Sequence, residues 1–314
     1  MSTCRTALLP LLLTLVAAPA SAAGAARAST PDPGVSAHLL FPVLPTSKEQ
    51  QPAQAAQSAP AAPAVPEDDP DLDVNPLQPD FTLLTMPTTL RMPKGKSAFR
   101  VTHRFTRSLG QGDFGNLLED LFGIDSGAVI GLEYRYGLLR GADIGIRRTN
   151  DRTIEFFTKY NVLQERGATP LGLSVIASAE GTNNFRDSYT PSLGVVVSRS
   201  VGRAGTVYVE PVWVNNSNAL PSALANDNDS FVVGMGARMR IRPSLYLVGE
   251  LVPRVTGYEP NVNHASVGFE KLLGLHVFQF NLSNGFGTTT GQVTRGGTGN
   301  HDWYFGFSIS RKFF

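Results

Sequence analysis

The run Asn263-His264-Ala265-Ser266 sets an amide, an imidazole and a hydroxyl within four residues. A nucleophilic serine needs the imidazole within hydrogen-bond reach, and the imidazole needs a third group to orient it. On an extended strand residues two apart share a face, so His264 and Ser266 can meet, and Glu270 has the same parity. A zinc site requires convergent ligands, but the other histidines beyond the first segment, His38, His103, His276 and His301, are dispersed. The single cysteine is Cys4, in the leader described below. The glycine-rich stretch Arg295–Asn300 lacks the strand-to-helix setting of a phosphate loop. No metal and no cofactor is expected.

More telling than any catalytic set are charges placed inside apolar runs. Ala128, Ile130, Leu132, Tyr134 and Tyr136 share one parity, and Gly131, Glu133 and Arg135 the other. Ile154, Phe156 and Tyr160 oppose Glu155 and Lys159, and Phe231, Val233, Met235, Ala237, Met239 and Ile241 oppose Arg238 and Arg240. The last stretch sets Trp303, Phe305, Phe307, Ile309 and Phe313 against Tyr304, Gly306, Ser308, Ser310 and Lys312. Collected over the chain, the charged parity holds Arg100, Arg104, Glu133, Arg135, Asp143, Arg147, Glu155 and Lys159, then Glu180, Glu210, Arg238, Arg240, Glu250, Arg254, Glu270 and Lys312. Mixed signs on neighbouring strands can form cross-strand ladders, or line a watery pore and tune which solute passes.

The elements that must position these charges are long strands. Twelve alternating segments are predicted: 96–109, 126–137, 141–149, 152–163, 170–180, 189–201, 205–215, 230–242, 244–254, 263–272, 275–284 and 301–313. Globular strands are commonly about 5–6 residues, whereas a tilted strand crossing a bilayer needs about 9–11. The connections sort by parity, as in a transmembrane barrel with tight turns at one rim and long loops at the other. One set is short (137–141, 164–169, 202–204, Pro243, 273–274), and the other is long except at Thr149–Arg152. In lipid an open edge would leave backbone groups unpaired, so the sheet must close, apolar face outward and charged face inward. A soluble calyx with the opposite polarity is the alternative, poorly suited to twelve long strands. Tyr134, Tyr136, Trp213, Trp303, Phe305 and Phe313 fall near strand ends, as interface girdles do.

His103 has the outward parity of Phe99, Val101 and Phe105; a bulge near Thr102 would turn it inward. The loop 110–125 carries Leu117, Leu118, Leu121 and Phe122 at helical spacing, so it can form a short helix folded into the mouth, or a surface turn.

Ahead of the strands lie two other regions. Arg5, the apolar stretch Ala7–Ala18 and the small-x-small Ala20-Ser21-Ala22 have the three-part form of a secretory leader, 1–22. Residues 23–95 contain a Pro/Ala/Gln-rich run whose composition offsets little ordering entropy and predicts a disordered periplasmic arm. The barrel then spans 96–314. A formal charge of +1, with Lys and Arg scattered, gives no nucleic-acid footprint.

Several stretches carry a family likeness: THRF (Thr102–Phe105), Asp120–Tyr134, Phe156–Leu163, Asn263–Gly285 and Phe305–Phe313. On these, residues 96–314 resemble an uncharacterised bacterial outer-membrane β-barrel family that carries a domain-of-unknown-function label. The terminal Phe314 resembles the signal by which barrel assembly machinery recognises such chains. The resemblance implies an all-β, closed up-and-down antiparallel barrel in the cell outer membrane, with lipid as its surroundings, and assigns no ligand. The first functional expectation is a passive or weakly selective channel for small polar solutes. The alternative is a structural or partner-binding barrel whose lumen its own ion pairs close. A lesser alternative is a phospholipase-like enzyme built on His264, Ser266 and Asn263, at odds with their lumenal parity. Oligomeric state does not follow from any of these features.

Overall fold

The computed structural model describes residues 69–218, 229–257, 262–299 and 301–314. The leader 1–22 and the arm up to residue 68 lie outside the described residues. The wall is made of β1 (Ser97–Ser108), β2 (Ala128–Leu139), β3 (Ala142–Thr149), β4 (Ile154–Leu163), β5 (Gly172–Gly181), β6 (Asp187–Val201) and β7 (Gly205–Val214). It continues through β8 (Ser230–Arg242), β9 (Leu245–Val252), β10 (Arg254–Gly257), β11 (His264–Leu273), β12 (His276–Ser283) and β13 (Tyr304–Phe313). Strands β9 and β10 are one stave broken at Pro253, and both pair with β8. The wall therefore has the twelve staves expected.

Each stave is antiparallel to its neighbours, and the sheet closes: Val101 of β1 pairs with Leu132 of β2 and with Ile309 of β13. Closure removes the free edges that would leave backbone donors and acceptors unpaired in lipid. Tight turns at Gly202 (φ 56°) and Gly274 (φ 59°) use left-handed backbone that glycine adopts without strain.

Polarity is inside-out. Phe156, Met235 and Phe269 are 47%, 43% and 54% exposed, while Glu155, Arg238 and Glu270 are 0%, 1% and 0% exposed. The interior is not uniformly polar, however. Along β6–β9 the inward positions Val196, Tyr208, Val212, Val214, Val232, Tyr246, Val248 and Val252 are buried and apolar. Stretches such as Val207–Val209 and Leu245–Val248 are therefore apolar on both faces, the outer one on the perimeter and the inner one covered from within.

What covers them from within corrects the arm boundary at its C-terminal end. Residues 80–92 are folded inside the barrel: Phe81, Leu83, Leu84, Met86 and Met92 are all buried. Thr82 and Pro87 form an antiparallel bridge. The Leu83 N–H donates to the Met86 carbonyl at 2.8 Å, and the Thr88 N–H to the Phe81 carbonyl at 2.8 Å. This is a short hairpin with its turn at 83–86. Leu83, Leu84 and Met86 pack on the apolar wall of β6–β9. Both ends of the hairpin lie at the short-turn rim. There the Pro76 carbonyl accepts from the Tyr246 hydroxyl at 2.8 Å, and the Gly95 N–H donates to Gly137 at 2.8 Å.

The register of β1 against β13 is regular from Ser97 to Arg104 and shifts only between Arg104 and Ser108. The bulge therefore lies beyond His103, which keeps its outward parity and stacks on Phe307 with ring centroids 4.5 Å apart.

Candidate functional site

Strands β2, β3 and β4 put opposite charges in register: Glu133 faces Arg147, Asp143 faces Lys159, and Arg147 faces Glu155. Their side chains form a ladder. Arg135 bridges Glu133 at 3.0 Å and Asp143 at 2.8 Å, and Arg147 bridges Glu133 at 2.7 Å and Glu155 at 2.6 Å. Phe157, filling the space beside Gly145, lies under both guanidinium groups, 4.6 Å from Arg135 and 5.3 Å from Arg147. Across the lumen, on β8 and β11, Arg238 bridges Glu270 at 2.9 Å, and on β1, beside the ladder, Arg104 donates to Asn281 of β12 at 2.7 Å.

The hairpin is held by these same wall residues. Glu250 accepts the backbone N–H groups of Leu84, Thr85 and Met86 at 3.2, 2.9 and 3.1 Å. Lys159 donates to the carbonyls of Thr88 and Leu90 at 3.0 and 2.6 Å. Arg238 donates to the Thr82 carbonyl at 3.0 Å, and Gln279 to the Leu83 carbonyl at 2.8 Å. Asp80 of the hairpin pairs with Arg100 at 3.2 Å and accepts from Ser310 at 2.7 Å, with Lys312 at 4.0 Å. The Phe81 ring has three cations around it: Arg135, Lys159 and Lys312, at 5.5, 5.7 and 5.9 Å from its centroid. The backbone polar groups of an irregular segment are thus satisfied by wall side chains, as burial demands.

From the long-loop rim the segment between β12 and β13 folds inward. Its short helix, Thr290–Thr294, buries Gly291, Val293 and Thr294. Glu180 accepts from the Gly291 N–H and from Arg295, each at 3.1 Å, and Glu155 from the Thr290 N–H at 3.2 Å. A short helix does form within 110–125, as Phe114–Glu119, and none of its residues is buried, so of the two alternatives it is the surface turn. The inward loop is the one after β12. Around the turn of the hairpin the cavities are small, about 30, 30 and 10 Å³, room for a water or so each, whereas at its foot, between Gln78, Leu90 and Gln164, a cavity of about 370 Å³ lies at the short-turn rim.

Of the lumen-facing set, Arg100, Arg104, Glu133, Arg135, Asp143, Glu155, Lys159, Glu180, Glu210, Arg238, Glu250, Glu270 and Lys312 are buried. Arg147 belongs to the ladder described above. Arg240 is half-exposed at the short-turn rim and donates to the Pro243 carbonyl at 3.1 Å, and Arg254 donates to the Thr294 carbonyl of the inward loop. Phe314 packs against the cluster of Phe81, Met92 and Ala98, at the foot of the hairpin.

His264 and Ser266 do meet, at 3.1 Å, but through Nε2, the nitrogen that Glu250 also approaches at 3.4 Å. A serine–histidine–acid triad needs the acid on Nδ1, and His264 Nδ1 has no hydrogen-bond partner among the described residues. Asn263 turns away and accepts from the Arg254 N–H at 3.1 Å. The catalytic constellation is not assembled. Among the described residues no group of three or more His, Cys, Asp or Glu side chains could hold a metal ion.

The hairpin was missed in sequence because its surroundings are Pro-rich. The signal present was the run Phe81-Thr82-Leu83-Leu84-Thr85-Met86, apolar where the preceding arm is not.

Residues 80–313 match the family model described as "Membrane bound beta barrel domain (DUF5777)". No curated protein matches the sequence. Among solved structures, an outer membrane channel from Pseudomonas putida matches with 14% identity and a TM-score of 0.41, over 71% of this chain and 97% of that one. A triple mutant of the Rhodopseudomonas blastica porin matches with 10% identity and a TM-score of 0.30, over 64% of this chain. The chain spans 58% of that porin's length.

Proposed function

The chain belongs to the membrane bound beta barrel domain family, and from that premise we propose that it is a gated outer-membrane channel for small polar solutes. In its resting form its own N-terminal hairpin shuts it. The observation that carries this reading is the hairpin's path. It enters and leaves by the same rim, so it can withdraw without unthreading a strand, and its backbone is held by polar side chains of the wall, Glu250, Lys159, Arg238 and Gln279, whose hydrogen bonds water can replace. Withdrawal would leave a passage with the ladder of β2–β4 along one wall, where rings of charge tune passage. The outer-membrane address is supported by the twelve closed staves and the apolar perimeter. The barrel assembly machinery would be its partner in reaching that membrane.

A second reading is a barrel that stays closed and serves as a structural or partner-binding element, with the arm as its contact. It is favoured by the packing of Leu83, Leu84, Met86 and Val293 on the apolar wall of β6–β9. Conductance of the purified protein in planar bilayers separates the two. A gate predicts a nearly silent wild type and frequent openings in a Glu250→Ala, Lys159→Met variant. Silence in both at high salt establishes the closed barrel.

A further inference from the structure

The loop between β1 and β2 folds down over the outside of the wall, not over the lumen. Phe105, on the outward parity of β1, stacks with Phe305 and lies 6.0 Å from Phe307, yet is only 6% exposed. The loop covers it: Gly123 is buried against Phe105 and Arg107. The segment is pinned there by Arg107–Asp120 at 2.8 Å and by the Thr106 hydroxyl donating to the Ser126 carbonyl at 2.7 Å. Having taken this position, the loop presents Phe114, Leu118, Leu121, Phe122 and Ile124 outward, all at least 40% exposed. Through Gly123 and Phe105 the loop abuts the aromatic perimeter of Phe280, Phe305 and Phe307.

We propose that residues 113–124 form an amphipathic anchor whose apolar side enters the hydrocarbon–headgroup boundary of the bilayer at the long-loop rim. The occupant is lipid because the patch continues a surface that a membrane-bound barrel already gives to lipid. Phe114 and Leu118, four apart within the helix Phe114–Glu119, share one flank as an interfacial helix requires, and the left-handed backbone at Leu121 and Phe122 ends the helix before the exposed Leu121, Phe122 and Ile124. Asp113 and Asn116 close a capping box at the start of the helix and can remain in water. A second copy of the chain is the competing occupant.

The test uses the full chain with Cys4→Ser, carrying a nitroxide on a single cysteine at Leu118 (Leu118→Cys) or at Asp113 (Asp113→Cys). Both positions are exposed; Asp113→Cys gives up the cap to the Asn116 N–H, while Arg107–Asp120 and Thr106–Ser126 still pin the segment. In dioleoylphosphatidylcholine vesicles the label at Leu118 should collide more with oxygen than with a water-soluble nickel chelate, and the label at Asp113 should show the reverse. Equal nickel access at both sites overturns the anchor. So does spin–spin broadening at Leu118 that disappears on dilution with unlabelled protein, which would assign the patch to a second copy.

Discussion

Glu250 on the barrel wall accepts both the backbone N–H of Thr85, at 2.9 Å, and its side-chain hydroxyl. One carboxylate thereby holds the turn of the inserted hairpin, and it also takes the N–H groups of Leu84 and Met86. Hydrogen bonds to a charged group contribute about 1.5–3 kcal/mol each, and leaving buried donors unmade costs about as much. The loss of even one such bond's worth means that Glu250→Ala should raise the population of released hairpin by at least roughly 10- to 100-fold. Hydrogen exchange at the Leu84, Thr85 and Met86 amides measures this. Wild-type protection in the variant would show that the apolar contacts alone retain the hairpin.

Glu210 makes the opposite case from nearly the same place. Its carboxylate is 5% exposed, and Oε2 has no hydrogen-bond partner among the described residues. It lines the cavity of about 30 Å³ beside Thr85, Met86 and Pro87. A buried carboxyl oxygen without a hydrogen bond opposes folding, so Glu210→Gln should leave the unfolding midpoint unchanged or raise it, while Glu250→Gln lowers it. Urea unfolding in the same detergent reports both. A drop for Glu210→Gln would mean that the carboxylate has a stabilising partner.

The difference between those two glutamates was not legible in the sequence. Both have lumenal parity, and parity reports a face without reporting what lies on the other side of the lumen. The wall itself was readable because alternation is local: Glu133, Arg147 and Glu155 each sit on the opposite parity from lipid-facing neighbours, and pairing brings the three into register. The hairpin was not readable, because Phe81–Met86 is held by β8, β9 and β12, more than 140 residues away in the chain. The inward loop is a similar case. Glu180 and Glu155 recruit Thr289–Arg295, a contact between distant segments that no local pattern marks.

Arg147 joins two carboxylates that would otherwise face each other unscreened. Its guanidinium lies 2.7 Å from Glu133 and 2.6 Å from Glu155, with the side chain 11% exposed. Removing one partner of a buried pair destabilises by about 3–5 kcal/mol, because the remaining charge stays buried and uncompensated. Arg147→Met should lower stability by about that amount, and adding Glu155→Gln should recover part of it. Folding free energies from urea titration in vesicles form the cycle. If the double variant is no more stable than Arg147→Met, coupling along the ladder is absent.

Thr89 and Ser198 offer a way to fasten the hairpin. Their hydroxyl oxygens are 2.5 Å apart, one on the returning arm of the hairpin and the other on β6. A disulfide needs Cβ atoms separated by about 3.5–4.5 Å, a spacing that two hydrogen-bonded hydroxyls on facing side chains can satisfy. The pair Thr89→Cys, Ser198→Cys, in a Cys4→Ser background, would close a crosslink over 109 residues without changing the wall. Introduced together with Glu250→Ala and Lys159→Met, it should abolish that variant's openings when oxidised, and dithiothreitol should restore them. If the oxidised protein conducts as often as the reduced one, the passage runs beside the hairpin instead of through the space it fills. Conductance would then have to be traced to the inward loop at Thr290–Thr294.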